Sequence, residues 1–415
     1  MKSSLKVLLA IGIVLIVATL VLFLFKNKIA ENDLQKGIEK EKNNDFKGAI
    51  TYFERSLKWN KKNTDAYISM ADAYYQLEEY KNAFQNIMLA YNLDSTNSKT
   101  LLTRGKIFIK EKNFEKAKKD LTQSVKADSM LADAYYYRGI ARANLGDYTG
   151  AIDDYKKAQS LSSSNIEVYE GSVEAKTKME DFQGAINDYN KILELDANNA
   201  DAYYNRGNLK LNLKDLNGAL NDFNSALSIN NNNPEVHYYK GIALAQLNNY
   251  PQAIDEFSEA IKNKYKLPKA FYNRALSYFH EQQYNKSAED LNESIKLDDR
   301  NAHAYQLSGL IKSMQQNYSG SILDFDEAID LDSTSAFTYF NRGISYGYLK
   351  DYKKAIHNYN KAILLQKNYA EAYYSRAVAY INLSNYMDGC DDLHKALDLG
   401  YKPAEDLIKI HCSGN

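Results

Sequence analysis

The stretch Ala200–Asn233, ADAYYNRGNLKLNLKDLNGALNDFNSALSINNNN, returns as a skeleton every 34 residues, and no other feature constrains the chain as much. Copies begin at Ala30, Thr64, Ser98, Ala132, Ile166, Ala200, Pro234, Pro268, Ala302, Ala336 and Ala370, eleven in register without an insertion. A fixed period of this length means one supersecondary unit stacked on copies of itself, since a unit so small cannot bury its apolar face alone. The 415 residues therefore need no single large core, and the array grows by addition.

Numbering the unit from Ala200, position 8 is Gly or Ala in ten copies, with Val173 the exception. Position 20 is always small, and position 27 is small except at Ile192. Position 24 is always large and apolar, from Phe53 to Leu393, while position 17 is aromatic except at Leu216. Apolar residues at 4, 8 and 11, and again at 17, 20, 24, 27 and 28, keep three- and four-residue spacing, which is one buried stripe on each of two helices. The break falls near positions 14 to 16, where Lys214-Asp215, Gly146-Asp147 and Asn248-Asn249 bring turn and N-cap chemistry. The unit is a helical hairpin in which small residues let the helices approach and aromatics fill the space around them.

These columns resemble the tetratricopeptide repeat, with its large aromatic at 4, Gly or Ala at 8, Ala at 20, aromatic at 24 and Ala at 27. The resemblance covers residues 30–403, about nine tenths of the chain, and implies an all-α, right-handed α-solenoid of helical hairpins. Two departures stand out. The family's Pro near position 32 is absent throughout, and Asn, Asp and Ser clusters end the second helices instead. Position 7, usually Leu, is often basic: Arg104, Arg138, Arg206, Lys240, Arg274, Arg342 and Arg376.

That basic column has an acidic counterpart at position 23, including Asp120, Asp154, Asp188, Asp222, Glu256, Asp290, Asp324 and Asp392. In an antiparallel hairpin the two positions lie at similar heights, so a structural ladder of ion pairs is expected, with Arg138, Asp154, Arg206, Asp222, Arg274, Asp290 and Arg342 among its members. Matched charges favour register control over ligand binding.

Residues 1–28 are a separate element. Val7 to Phe25 is a run of nineteen uncharged, largely apolar residues, enough to cross a hydrocarbon core of about 30 Å. No small-x-small cleavage site follows it, so residues 7–25 are read as an uncleaved transmembrane signal anchor behind a short tail, residues 1–6. Lysines on the two sides nearly tie. The expected placement has the amino terminus in the cytoplasm and the repeats outside, in a single-pass membrane protein.

Residues 404–415 read as a capping helix and tail, with Leu407 and Ile408 on one side. Cys390 and Cys412 are the two cysteines; the alternatives are one disulfide stapling the cap or two unpaired thiols, and because spacing alone does not establish bonding distance the thiols are the preferred reading. His237 occupies position 4 and reads as a core substitution. No CxxC, HExxH, GxSxG elbow or Gly-rich phosphate loop occurs, so the expectation is no catalysis, no cofactor and no metal. A net charge of −1 supplies no field for nucleic acid.

What remains is surface. The resemblance implies that first helices line a concave groove through positions 2, 5, 6, 9, 12 and 13. Position 5 then presents Tyr136, Tyr204, Tyr238, Tyr272, Phe340 and Tyr374, with Asn205, Asn273 and Asn341 beside them at position 6. Such a face suits an extended peptide, although the same rings serve equally well as packing between neighbouring first helices. Family members that grip the acidic C-terminus of chaperones carry Lys at position 5; here Tyr204 stands in that place, so chaperone-tail binding is not expected. The favoured function is a membrane-anchored scaffold for protein or peptide partners, and the alternative is a carbohydrate-binding envelope protein, since aromatic faces also stack on sugars.

Overall fold

The computed structural model describes residues 2–263 and 267–412, and side-chain environments from residue 10 onward. Among the described residues there are twenty-three α-helices, numbered α1 to α23 in chain order, and no strand. Two compact units divide them, Met1–Ala202 and Tyr203–Asn415, and α11 (Ala200–Asn212) falls at the division. Each unit is a run of antiparallel hairpins with its core distributed as small clusters, one at each hairpin seam.

The closest approach within a hairpin is between positions 8 and 24. A Cβ built on Gly139 would meet the Tyr155 ring at 2.6 Å, and one on Gly207 the Phe223 ring at 2.7 Å. The same conflict recurs at Gly37, Gly241, Gly309 and Gly343 against Phe53, Phe257, Phe325 and Tyr359. Where position 8 is Ala, at Ala71, Ala275 and Ala377, position 24 is the aliphatic Ile87, Leu291 or Leu393. Val173 breaks the rule, and its partner column holds Tyr189, the one position-24 side chain that is only half-buried.

Each hairpin turns the same way. Position 15 is left-handed in every unit, with φ of 82° at Gly146 and between 57° and 64° at Asn44, Glu78, Lys112, Glu180, Lys214 and five other non-glycine residues. The next amide then reaches back to a carbonyl five residues earlier, as Asp147 does to Arg142 and Asp215 to Lys210, which closes the first helix. That same Asp turns its carboxylate onto the amide three residues ahead and caps the second helix, as in α8 (Tyr148–Leu161) and α12 (Leu216–Ile229). One turn thus ends one helix and starts the next.

The first helix, α1 (Lys2–Lys42), runs without a break from the apolar segment into the first repeat. Residues 2–6, expected as a tail, are its opening turns, and Met1 lies outside the described residues. Asn27, Asn32 and Asp33 do not interrupt it, because Ala30 and Leu34 are already buried in the first hairpin and hold the helix there. The window beginning at Ala10 is long and apolar enough to cross a membrane, and none of it is buried against the rest of the chain.

At the other end α23 (Ala404–His411) packs Ala404, Leu407 and Ile408 on α22 (Tyr386–Asp398); residues 413–415 of the expected tail lie outside the described residues. Cys390 and Cys412 are joined in a disulfide with Cα atoms 5.8 Å apart, which corrects the reading of two free thiols. The spacing of 22 residues could not show it, because the second turn that folds α23 back is tertiary. Gly207→Leu should destabilise the full chain by about 1–3 kcal/mol in urea unfolding. Gly207→Ala combined with Phe223→Leu, the pairing already present at Ala275 and Leu291, should cost less than the sum of the two single changes; strict additivity would contradict a shared seam.

Candidate functional site

From the third hairpin on, charged groups between the two helices are consumed in structure. Arg138 donates from Nε and Nη2 to the two carboxylate oxygens of Asp154 at 2.8 and 2.6 Å, and Arg206 does the same to Asp222 at 2.9 and 2.6 Å. Arg274 forks onto Asp290 at 2.7 Å through both contacts. Arg104 with Asp120 and Arg376 with Asp392 complete the bidentate set. Arg342 meets Asn358 rather than an acid and turns Nη1 to Asp326 of the preceding hairpin at 2.6 Å. Arg274 likewise reaches back to Ser258. These side chains therefore fix neighbouring hairpins as well as the two helices of one, a second contact that the matched columns did not reveal. Where position 7 is Ser172 or Ser308, a lysine one turn further on takes over, Lys176 to Asp188 and Lys312 to Asp324.

The aromatic column at position 5 is tied into packing to different degrees. Tyr136 lies 6.2 Å from the Tyr155 ring, Tyr204 6.5 Å from Phe223 and 5.9 Å from Tyr239, and Phe340 6.0 Å from Tyr359 and 4.8 Å from Tyr369. Tyr272 is half-buried against the cluster around Leu291, and Tyr374 lies 4.9 Å from Tyr401 with the rings tilted by 51°. Tyr238 is only 5% exposed, and Asn273 donates to its hydroxyl at 3.0 Å. Burial pushes the Tyr238 phenol up to about 12. Asn205 stands exposed, whereas Asn341 is buried and donates to the Phe337 carbonyl of its own helix at 2.8 Å, so it is not a group of the open face. These rings thus pack, mostly tilted, against neighbouring rings.

Two cavities open on the first-helix side, one in each unit and at the same repeat positions. The first, about 690 Å³, is bordered by Tyr136, Ile140, Tyr155 and Gly171 between α7 (Ala132–Asn144) and α9 (Ile166–Lys178). The second, about 390 Å³, is bordered by Ile344, Tyr359, Tyr374 and Val378 between α19 (Ala336–Tyr348) and α21 (Ala370–Asn382). Both sit beneath the two position-24 tyrosines that are fully packed. Among the described residues no set of three or more His, Cys, Asp or Glu is placed to hold a metal ion.

His237 is not a core substitution. It is half-buried, with Nδ1 2.7 Å from Glu256 and Nε2 3.1 Å from the Asn231 carbonyl. Lys240 shares the same carboxylate at 2.7 Å. The Glu256 hydrogen bond raises the imidazole above its usual value, working against its burial and against Lys240. Its ring matches the size of a core aromatic, but its N–H toward Glu256 makes the position polar.

Stacked two-helix units of 34 residues with a small-against-large seam define a helical-repeat protein. Tetratricopeptide repeat models match residues 64–97, 98–129, 132–165, 238–303 and 336–369, and a TPR repeat model matches 174–214 and 207–248. The chain belongs to the tetratricopeptide repeat family. The DnaJ homolog subfamily C member 7 homolog of Dictyostelium discoideum is 24% identical over 149 residues, 32% of this chain and 28% of that protein. RNA polymerase II-associated protein 3 of Xenopus tropicalis is 29% identical over 94 residues, 23% of this chain and 14% of that one. The chain thus spans less than a third of either relative. Similar solved structures include YrrB, described as a TPR protein with an unusual peptide-binding site, with a TM-score of 0.43 and 21% identity over 45% of this chain and 97% of that one. The Cut9-Hcn1 hetero-tetramer of APC/C gives a TM-score of 0.46 and 15% identity over 90% and 95%.

Reversing the charge of Arg206 and Asp222 together should recover most of the stability lost on reversing either alone, read as a double-mutant cycle in urea; additive losses would mean the pair does not couple. His237 should titrate above about 6.5 by NMR, and Glu256→Gln should bring it back toward that value. Because the folded value is raised, the stability this pair contributes is complete below the unfolded value and fades as pH rises through the folded one.

Proposed function

We propose that this chain is a membrane-anchored scaffold that binds segments of partner polypeptides along its first-helix face and performs no chemistry of its own. The observation that carries the reading is the asymmetry of the hairpins. Charges between helices are matched and buried, while the first-helix side keeps open cavities edged by tyrosine and, at the first of them, by exposed carboxylates. The edges of half-buried aromatics and exposed amides such as Asn205 suit an extended backbone. Sugar stacking needs free ring faces, and the packing of Tyr204, Tyr238 and Phe340 against neighbouring rings leaves few.

The exposed apolar run of α1 supports a single-pass anchor over residues 7–25, and the disulfide at the far end supports repeats in an oxidising, extracytoplasmic space, where such bonds persist. Protease added to intact cells or spheroplasts should cut the repeats, and the mass of the untreated protein should correspond to residues 1–415. Repeats protected until the membrane is broken would reverse the orientation. A photo-crosslinking residue at Asn205 should capture protein partners, while the same probe at Gln123, exposed on a second helix, should not; equal capture would remove the face from the reading.

A further inference from the structure

The cavity between α7 and α9 differs from every other first-helix seam in the side chain that is missing. Position 6 carries a side chain in every other unit, as at Tyr137, Asn205, Leu307 and Ser375, but here it is Gly171. A Cβ at Gly171 would lie 2.9 Å from Cζ of Tyr155 and 3.1 Å from its hydroxyl oxygen, so the phenol head occupies the floor of the space that a side chain would fill. Tyr155 is 2% exposed, lines the cavity, and its hydroxyl makes no hydrogen bond among the described residues. Packing does not require that hydroxyl, since Phe223, Phe257 and Phe325 fill the same seat elsewhere.

The rim is acidic. Glu167, Glu170 and Glu174 follow at spacings of three and four on one face of α9, and all three carboxylates are exposed at the cavity. No ion pair or side-chain hydrogen bond engages any of them among the described residues, in contrast to the acids of position 23. Lys178 stands at the far end of the rim; of the charges on α7, Asp133 is exposed at its start, and Arg138 and Arg142 are both paired with Asp154. Six units further on, the equivalent lining replaces Glu170 by Tyr374, Gly171 by Ser375, Glu174 by Val378 and Lys178 by Asn382. Glu170 and Glu174 are therefore properties of this cavity, whereas the acid of Glu167 recurs in the repeat, as Glu371 does in the later unit.

We propose that the α7–α9 cavity receives one cationic side chain, an arginine or lysine of a partner polypeptide lying on the first-helix face. The inference rests on the polypeptide-binding reading above. The aliphatic stem passes Tyr136 and Ile140, the charge sits among Glu167, Glu170 and Glu174, and the Tyr155 hydroxyl accepts a hydrogen bond from the head group. A cavity of about 690 Å³ lies within the range of ligand pockets and leaves room for the residues flanking the cation.

The test uses the full chain in detergent against a nine-residue combinatorial peptide array in which the centre is fixed in turn as each amino acid. Arginine and lysine centres should be preferred over norleucine, citrulline and glutamate. Three conservative changes made together, Glu167→Gln, Glu170→Gln and Glu174→Gln, should lower binding to the cationic centres about tenfold and leave the neutral ones unchanged. Tyr155→Phe, which keeps the packing found in other units, should weaken the same peptides several-fold, and 0.5 M salt should erode the preference. Peptide binding without cationic preference, or a preference indifferent to the triple change, would overturn the inference and leave the scaffold standing. Failure of every peptide, together with absence of crosslinks from Asn205, would overturn the polypeptide reading and this inference with it.

Discussion

Contact between position 8 and position 24 is the constraint on which each hairpin depends. An aromatic ring can lie close on a helix backbone only where that backbone carries no side chain, and six units set Gly at position 8 against a ring, while the seventh, Gly105, faces Leu121. The three units with Ala meet an aliphatic partner that can bend away from a methyl group. Val173 shows what happens when neither accommodation is available: the tyrosine opposite it moves outward into partial exposure. Packing at crystal-like density makes the two columns one variable rather than two.

Buried ion pairs then set the register of what the seam brings together. Taking two charges from water costs about as much as their attraction returns, so the arginine–aspartate forks add little net stability. Their effect is on alternatives, because a hairpin slipped by one residue would bury each charge without its partner. Arg274 and Arg342 extend that control to the preceding hairpin through Ser258 and Asp326. Lys176 and Lys312 show that the acid at position 23 must be answered, although the answering residue is free to move by one helical turn.

Hairpins, turns and the charge ladder were legible because each is stated many times in the sequence, and a column repeated eleven times averages out local accidents. Exceptions to the columns were harder to read. His237 looked like a ring of the right size, and only its neighbours Glu256 and Asn231 make it polar. The disulfide depends on how α23 folds back on α22, which no periodicity encodes. Asn341 belongs to a column of groove amides but turns inward to Phe337. The α7–α9 cavity was invisible for a related reason, since it requires Gly171, Tyr155 and the glutamates of α9 to be considered together, and they belong to different columns of adjacent units.

An unbroken α1 makes the exposed apolar segment and the first wall of the array one continuous helix. Ala30 and Leu34 are locked in the first hairpin, so the azimuth of that hairpin is tied to the azimuth of the apolar segment. Each residue of an α-helix advances about 1.5 Å and turns about 100°. Phase, not length alone, therefore decides which side of the first hairpin faces the same way as a given side of the apolar segment. A chain that inserts or loses one residue between Phe25 and Ala30 would keep every contact in its repeats and still aim the first of them at a different quarter of its surroundings.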